Sequence, residues 1–181
     1  QVKTTLEHDL EHFRPKNSVQ TWPDPVIHPH LSYSRTGGGY PSGYYWLAYE
    51  LSNYAAACKT CNSSFKHIYF PVAGTRPTPP VSVANTVLPA ALNRSETPFL
   101  CYPLGSIDDD PEDLITFDAT MAIPVHASGP KHERAMLIID FFGLNARDHL
   151  HMERAKMISM FGPSFENQVR GFANQADLNV I

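Results

Sequence analysis

The sequence predicts an α+β domain in which short strands and helices are joined by long irregular connections. A segment ending near residue 12 and another at residues 114–117 have the composition of strands and are bounded by proline or acidic turns. Two stretches, at residues 135–144 and 146–172, place apolar residues at helical spacing. Prolines and glycines are concentrated between residues 17 and 98, where they favour loops and turns.

The first half of the chain is predicted to hold few regular elements. Residues 2–16 form an extended segment that ends as a strand, because Pro15 forbids a helix and favours an extended residue before it. Residues 17–43 contain four prolines and a Gly-Gly-Gly run, which predicts a long irregular excursion. The periodicity of residues 44–53 is compatible with a helix or a strand, and we expect a short helix of mainly core-facing aromatic residues. Residues 62–67 are expected to form one or two helical turns.

The second half is predicted to be more regular after an initial surface excursion at residues 74–98, which holds five prolines. An acidic turn and the short strand come next. An apolar helix is then expected at residues 135–144. The final stretch, residues 146–172, is expected to be an amphipathic helix with a break at Gly162-Pro163.

Length and composition favour one soluble domain over residues 1–181. A motif core is expected at residues 7–71 and a helical extension at about residues 133–175. No uninterrupted apolar run approaches the roughly 18 residues of a membrane span, so no membrane association is expected. The formal charge of −4 is unevenly divided: seven Lys/Arg stand against five Asp/Glu up to residue 76, and seven against thirteen after it. Contacts with phosphates are therefore expected in the first half.

Residues suited to phosphodiester hydrolysis recur in that half. The reaction needs a base that is active near neutral pH, a cation beside the phosphate and a group that orients the base. Histidine suits the first task, and His12 directly follows Glu11, whose carboxylate is a hard ligand suited to Mg²⁺ or Mn²⁺. Asn62 offers a second oxygen ligand. Because Lys66 is four residues after Asn62, the two share one helix face and Lys66 is expected to reach the same phosphate.

This pattern resembles the HNH, or ββα-metal, nucleases. In that family a strand ends in an acidic residue or histidine followed by His, a proline comes soon after, and a helix brings the remaining ligand. An asparagine nine residues before the helical ligand is typical, and Asn53 has that spacing from Asn62. Residues 11–17, 45–53 and 58–62 also resemble the bacterial HNH proteins that accompany ATPases in Septu-type anti-phage defence. With similar phrases at residues 109–117 and 142–147, the resemblance covers about residues 7–155.

The resemblance implies a ββα-metal finger embedded in a mostly helical and irregular domain, acting as a DNA endonuclease with one divalent cation, Mg²⁺ or Mn²⁺. It implies that His12 is the general base and that Glu11 and Asn62 bind the cation. Asn53 would hold the loop that carries the histidine. Lys66 occupies a position that is a third metal ligand in some family members, but a protonated lysine cannot bind a cation, so phosphate contact is expected here. DNA and an ATPase protein are the implied partners.

Residues near the motif support the choice of His12 as the base. His8 also follows a glutamate, but only His12 has a proline three residues later and basic neighbours. Those neighbours, Arg14 and Lys16, are expected to contact the substrate. The other histidines have no comparable sequence context.

Cys58 and Cys61 form a Cys-x-x-Cys pair, which is more typical of metal or redox chemistry than of a disulfide framework. Relatives of the resembled subgroup commonly have an upstream pair that completes a four-cysteine zinc site. Two cysteines do not fill a tetrahedral site. Two ligands therefore precede residue 1, other residues substitute, or no zinc is bound. The third cysteine, Cys101, is expected to be a small buried apolar residue.

The low cysteine content favours a reducing cytoplasm, and a first residue that is Gln rather than Met suggests a fragment with a truncated N-terminus. Two functions from other classes stay open. The chain could be a catalytically idle HNH scaffold that binds nucleic acid or an ATPase, as the low net charge suggests. It could also be a zinc-binding interaction module.

Overall fold

A computed structural model describes residues 8–82, 88–103, 105 and 107–170. Its elements are mixed, as the α+β prediction requires: two small antiparallel sheets and several helices. Glu7 and residues 171–175, which the predicted motif core and helical extension include, lie outside the described residues. None of the helices in the described ranges is long and apolar enough to cross a membrane.

The first sheet joins two distant segments. Strand β1 (His8–His12) pairs antiparallel with β2 (Tyr54–Cys58), so that His8 lies opposite Cys58 and His12 opposite Tyr54. The predicted strand end at Glu11-His12 is therefore confirmed. A π-helical segment (Thr60–Lys66) follows β2 directly and covers the helical turns expected at residues 62–67.

The chain between the two strands is largely irregular, as predicted. The short helix expected at residues 44–53 is instead two 3₁₀ turns, Tyr45–Leu47 and Leu51–Asn53. Its aromatic residues are divided between core and surface: Trp46 is buried, whereas Tyr49 is exposed. Buried and exposed residues therefore follow each other within a few positions. Short 3₁₀ turns that lie on the core accommodate this pattern.

The main core is rich in aromatic side chains from the irregular connections. Phe13 contacts Phe70 and Tyr102 edge-to-face at ring distances of 5.2 and 5.0 Å. Trp22, which is 1% exposed, packs against Phe141 from the C-terminal half of the chain. Large rings bury much apolar area per residue, which compensates for the small amount of regular structure.

Residues 74–98 were expected to be only a surface excursion, and this prediction is wrong. Helix α1 (Pro89–Glu96) forms within them, with a proline in its first turn, where the missing N–H costs no hydrogen bond. Leu92 and Glu96 of this helix are buried in the main core.

The C-terminal part contains the second sheet and two helices. The strand predicted at residues 114–117 is β3 (Ile115–Asp118), which forms a hairpin with β4 (Met121–Pro124). The apolar helix is α2 (Pro130–Phe141), which begins five residues earlier than predicted.

Helix α3 (Asp148–Val169) continues through Pro163, so the predicted break at this point is wrong. A proline removes one backbone hydrogen bond, but its fixed φ is close to the helical value. The carbonyl that loses its partner belongs to Ser159, which is exposed, so water can satisfy it.

Candidate active site

The end of β1 presents its side chains on two faces. Because neighbouring strand residues alternate, Asp9 and Glu11 share one face, and His12 belongs to the other. The contacts agree with this division: Glu11 is bonded to Lys66, whereas the His12 ring lies 4.5 Å from the ring of Tyr54, its cross-strand partner. The sequence predicted that Glu11 and His12 would act together, and the structure places their side chains on opposite sides of the strand.

Lys66 connects the π-helical segment to β1 through hydrogen bonds. Its ammonium donates to the Glu11 carboxylate and, at 3.0 Å, to the carbonyl oxygen of His12. The side chain is only 7% exposed. Burial lowers the pKa of Lys66, and the negative charge of Glu11 opposes that effect. The predicted contact between Lys66 and a phosphate is therefore not what the structure shows: this cation is already paired with a carboxylate.

Asn62 lies on the same side of the sheet. Its Nδ2 is 3.2 Å from Oδ2 of Asp9, across 53 residues of sequence. The π-helical segment thus meets β1 at two points, since Asp9 contacts Asn62 and Glu11 contacts Lys66. Sequence reasoning overlooked Asp9, although its spacing of two residues from Glu11 on a strand was a readable signal.

His12 is held by the turn before β2. Its Nε2 lies 3.0 Å from the carbonyl oxygen of Ala48, which also accepts a hydrogen bond from the Tyr54 hydroxyl. A carbonyl oxygen only accepts, so Nε2 must carry the hydrogen. In the neutral ring Nδ1 then has the free lone pair, which is the form required of a base.

Asn53 is fully buried and bonded to the backbone of the segment after His12. Its Oδ1 accepts from the Arg14 N–H at 2.9 Å, and its Nδ2 donates to the Arg14 carbonyl at 3.0 Å. A third bond, at 3.3 Å, reaches the Leu47 carbonyl. This is the geometry of a residue that holds the histidine-bearing loop.

The expectation that Arg14 contacts the substrate is wrong for this structure. Its guanidinium is 0% exposed and forms a 2.8 Å ion pair with Glu96, which is also 0% exposed. Nη2 donates to Asn93 at 2.6 Å. The core supplies a counter-charge and an amide oxygen, so Arg14 ties the loop to α1. Lys16, the other expected substrate contact, is exposed.

Cys58 and Cys61 lie close together in space, and both carry free thiols. The Cys61 N–H lies 3.2 Å from Sγ of Cys58, and a guanidinium nitrogen of Arg147 lies 3.6 Å from Sγ of Cys61. Burial, together with a hydrogen bond to Cys58, raises the pKa of the Cys61 thiol, and Arg147 opposes this shift. Cys101 is half-buried, and burial raises its pKa to about 11, as expected of an inert thiol.

The donor groups beside Asn62 suit a hard cation. Two carboxylates and one amide oxygen are the oxygen ligands that Mg²⁺ and Mn²⁺ prefer, and Lys66 competes for one of them. Among the described residues, no group of three or more His, Cys, Asp or Glu side chains is placed to hold a metal. A cation here would need the amide oxygen and water to complete its shell, as is usual for Mg²⁺. A zinc ion would take two of its four ligands from the cysteine pair.

Comparison with known proteins gives one informative relative. The chain is 28% identical over 156 residues to the Septu protein PtuB of Bacillus mycoides (strain KBAB4). The match covers 86% of this chain and 44% of that protein, so the chain spans less than half the length of this relative. No family model matches the sequence. No solved structure matches it either.

The aligned region covers most of the chain. At 86% of the chain, the alignment necessarily includes most of the segment from β1 to α2 that contains the site. The similarity to PtuB therefore includes the part of the chain that holds Asn53 and Asn62.

Proposed function

We propose that this chain is a metal-dependent nuclease of the HNH type that acts in anti-phage defence. The single observation that carries the proposal is the convergence of β1 and the π-helical segment, in which Asn62 meets Asp9 and Lys66 meets Glu11. Two antiparallel strands followed by a helical segment are the order of elements in a ββα finger. The similarity to a Septu protein supports the defence role.

In this proposal Glu11 and Asn62 bind one Mg²⁺ or Mn²⁺ ion. The cation would supply positive charge to the phosphate and to the leaving oxygen. Asn53 keeps the loop rigid, and Asp9 lies beside the amide ligand. Lys66 neutralises one of the two carboxylate charges and fixes the backbone at His12.

His12 acts as the general base through Nδ1. Its Nε2–H donates to Ala48, so the ring is held in the tautomer that can take a proton from water. Since Glu11 and His12 lie on opposite faces of β1, a phosphodiester must lie across the end of the sheet to reach both. Lys16, which is exposed just beyond this end, is a cation available to a phosphate.

The second candidate is a catalytically idle scaffold that binds nucleic acid or an ATPase partner. The contact between Lys66 and Glu11 favours it, because an ammonium already occupies one side of the carboxylate that a metal would need. A scaffold of this kind would fold without a divalent cation and would leave DNA intact.

Cleavage of supercoiled plasmid in Mg²⁺ or Mn²⁺ separates the two candidates. The nuclease should nick DNA only when a divalent cation is present, and both His12→Ala and Asn62→Ala should abolish nicking. His126→Ala, an exposed histidine in the C-terminal half, is the matched control and should nick at the wild-type rate. Nicking by His12→Ala at the wild-type rate would refute the proposal, and the absence of nicking with or without an added ATPase partner would favour the scaffold.

A further inference from the structure

The contact between Asp9 and Asn62 determines which way the Asn62 amide faces. Asp9 is on the same face of β1 as Glu11, and its Oδ2 lies 3.2 Å from Nδ2 of Asn62. A carboxylate carries no proton at neutral pH and only accepts hydrogen bonds. The NH₂ group of Asn62 must therefore face Asp9, and the amide oxygen must face away from it.

We propose that Asp9 is a positioning residue that holds the oxygen of Asn62 free for a divalent cation. The identity of the cation rests on the proposed function, whereas the orientation of the amide does not. Without Asp9 the amide could rotate by half a turn and present a donor, which a cation cannot use. Groups that orient a ligand in this way are part of a metal site although they do not touch the metal.

A second contact strengthens the argument by fixing the backbone around Asn62. Glu11 bonds to Lys66 on the same face, so residues two apart on β1 are bonded to residues four apart in the π-helical segment. The segment is thus held against the strand at Asn62 and at Lys66 before any cation binds. Two carboxylates and one ammonium leave a net charge of −1 around the Asn62 side chain, which favours a cation in this region.

The affinity for Mn²⁺, measured from the electron paramagnetic resonance signal of the free ion, tests whether Asp9 supports metal binding. Asp9→Ala removes the acceptor, and we expect its affinity for Mn²⁺ to fall by about tenfold, as for other groups that orient a metal ligand. Asp9→Asn keeps an acceptor oxygen without the charge and should keep most of the affinity. Asp118→Ala removes an exposed carboxylate from the β3–β4 hairpin, and this variant should bind Mn²⁺ like the wild type.

Two results would overturn the proposal. Unchanged Mn²⁺ affinity in Asp9→Ala would show that the amide needs no orienting group. Equal losses in Asp9→Ala and Asp9→Asn would show that the charge of Asp9, or its direct contact with the metal, matters and not its hydrogen bond.

A measurement without metal keeps the test independent of the proposed nuclease. The ¹H–¹⁵N signal of the Asn62 side chain, assigned from its loss in Asn62→Ala, should move in Asp9→Ala towards the signals of exposed asparagines. It should stay near its wild-type position in Asp9→Asn. If the wild type binds no Mn²⁺, the proposed metal chemistry is refuted, and the amide signal then tests only the orientation of Asn62. An unchanged signal in Asp9→Ala would refute the proposed orientation.

Discussion

Asn53 and the backbone of Arg14 exchange two hydrogen bonds across 39 residues of sequence, at 2.9 and 3.0 Å. The side-chain amide of Asn53 therefore forms the two hydrogen bonds that a neighbouring strand would otherwise form. It satisfies the buried N–H and the buried carbonyl of Arg14, just beyond the end of β1. The loop after His12 cannot move without breaking both bonds.

Asn53→Ala should reduce the free energy of unfolding by about 2–4 kcal/mol, since a buried donor and a buried acceptor on Arg14 both lose their partner. It should also reduce any activity that depends on His12. Urea unfolding followed by circular dichroism measures the first effect. Asn17→Ala, at an exposed position, is the control, and a loss as small as in that variant would mean that Asn53 does not hold the loop.

Glu96→Ala should destabilise the protein strongly because it leaves the buried Arg14 guanidinium without its counter-charge, and the neutral amide oxygen of Asn93 does not replace it. Removing one member of a buried ion pair costs about 3–5 kcal/mol. The exposed pair of Glu153 and Lys156 offers the matched comparison, and Glu153→Ala should change stability little. Chemical denaturation of the two variants side by side decides this. Equal stabilities would contradict the role given to the buried pair.

The positions of β1, β3, α2 and the π-helical segment were predictable because each depends on local signals. A proline soon after Glu11-His12 marks the end of a strand, and serines mark the start of a helical turn. The spacing of nine residues between Asn53 and Asn62 also pointed to residues that the fold places near β1.

The errors concern residues whose environment is created by distant segments. Arg14 looked like a surface cation, but Glu96 lies 82 residues away and makes its burial possible. Helix α1, which carries Glu96, was hidden among five prolines. The pairing of Lys66 with Glu11 likewise depends on how β2 brings the helical segment back to β1, which no local pattern reveals.

Lys66→Met should make the protein more responsive to divalent cations. The variant leaves the Glu11 carboxylate without its ammonium partner, at a cost of roughly 3 kcal/mol in metal-free buffer. Mn²⁺ bound by Glu11 would restore part of this loss, so the rise in Tm on adding Mn²⁺ should be larger than in wild type. Thermal melts with and without Mn²⁺ measure it. Lys16→Met is the exposed control, and an equal Mn²⁺ response in the two variants would argue against metal binding by Glu11.

Asp108 should make stability depend on pH in the acid range. Burial raises the pKa of its carboxyl, but hydrogen bonds from Arg134 and from the Tyr102 N–H outweigh burial and hold the pKa below its usual 3.8. A lowered pKa in the folded state means that the stabilisation is present above pH 3.8 and is lost as pH falls through the lower value.

Asp108→Asn should accordingly lower the free energy of unfolding by about 2 kcal/mol at pH 7, because the bonds to Arg134 lose their charge. Urea unfolding of wild type and variant at pH 7, 5 and 3 should show the difference shrinking only at the lowest pH. A difference of the same size at all three values would contradict the ionic role of Asp108.

The most direct test of the proposed chemistry is the rate of plasmid nicking by His12→Ala with and without added imidazole, in the presence of Mn²⁺. If His12 is the general base, the substitution should abolish nicking, imidazole should restore part of it, and removal of Mn²⁺ should abolish it again. Nicking by His12→Ala at the wild-type rate without imidazole would contradict the account, because the base would then lie elsewhere or not be needed.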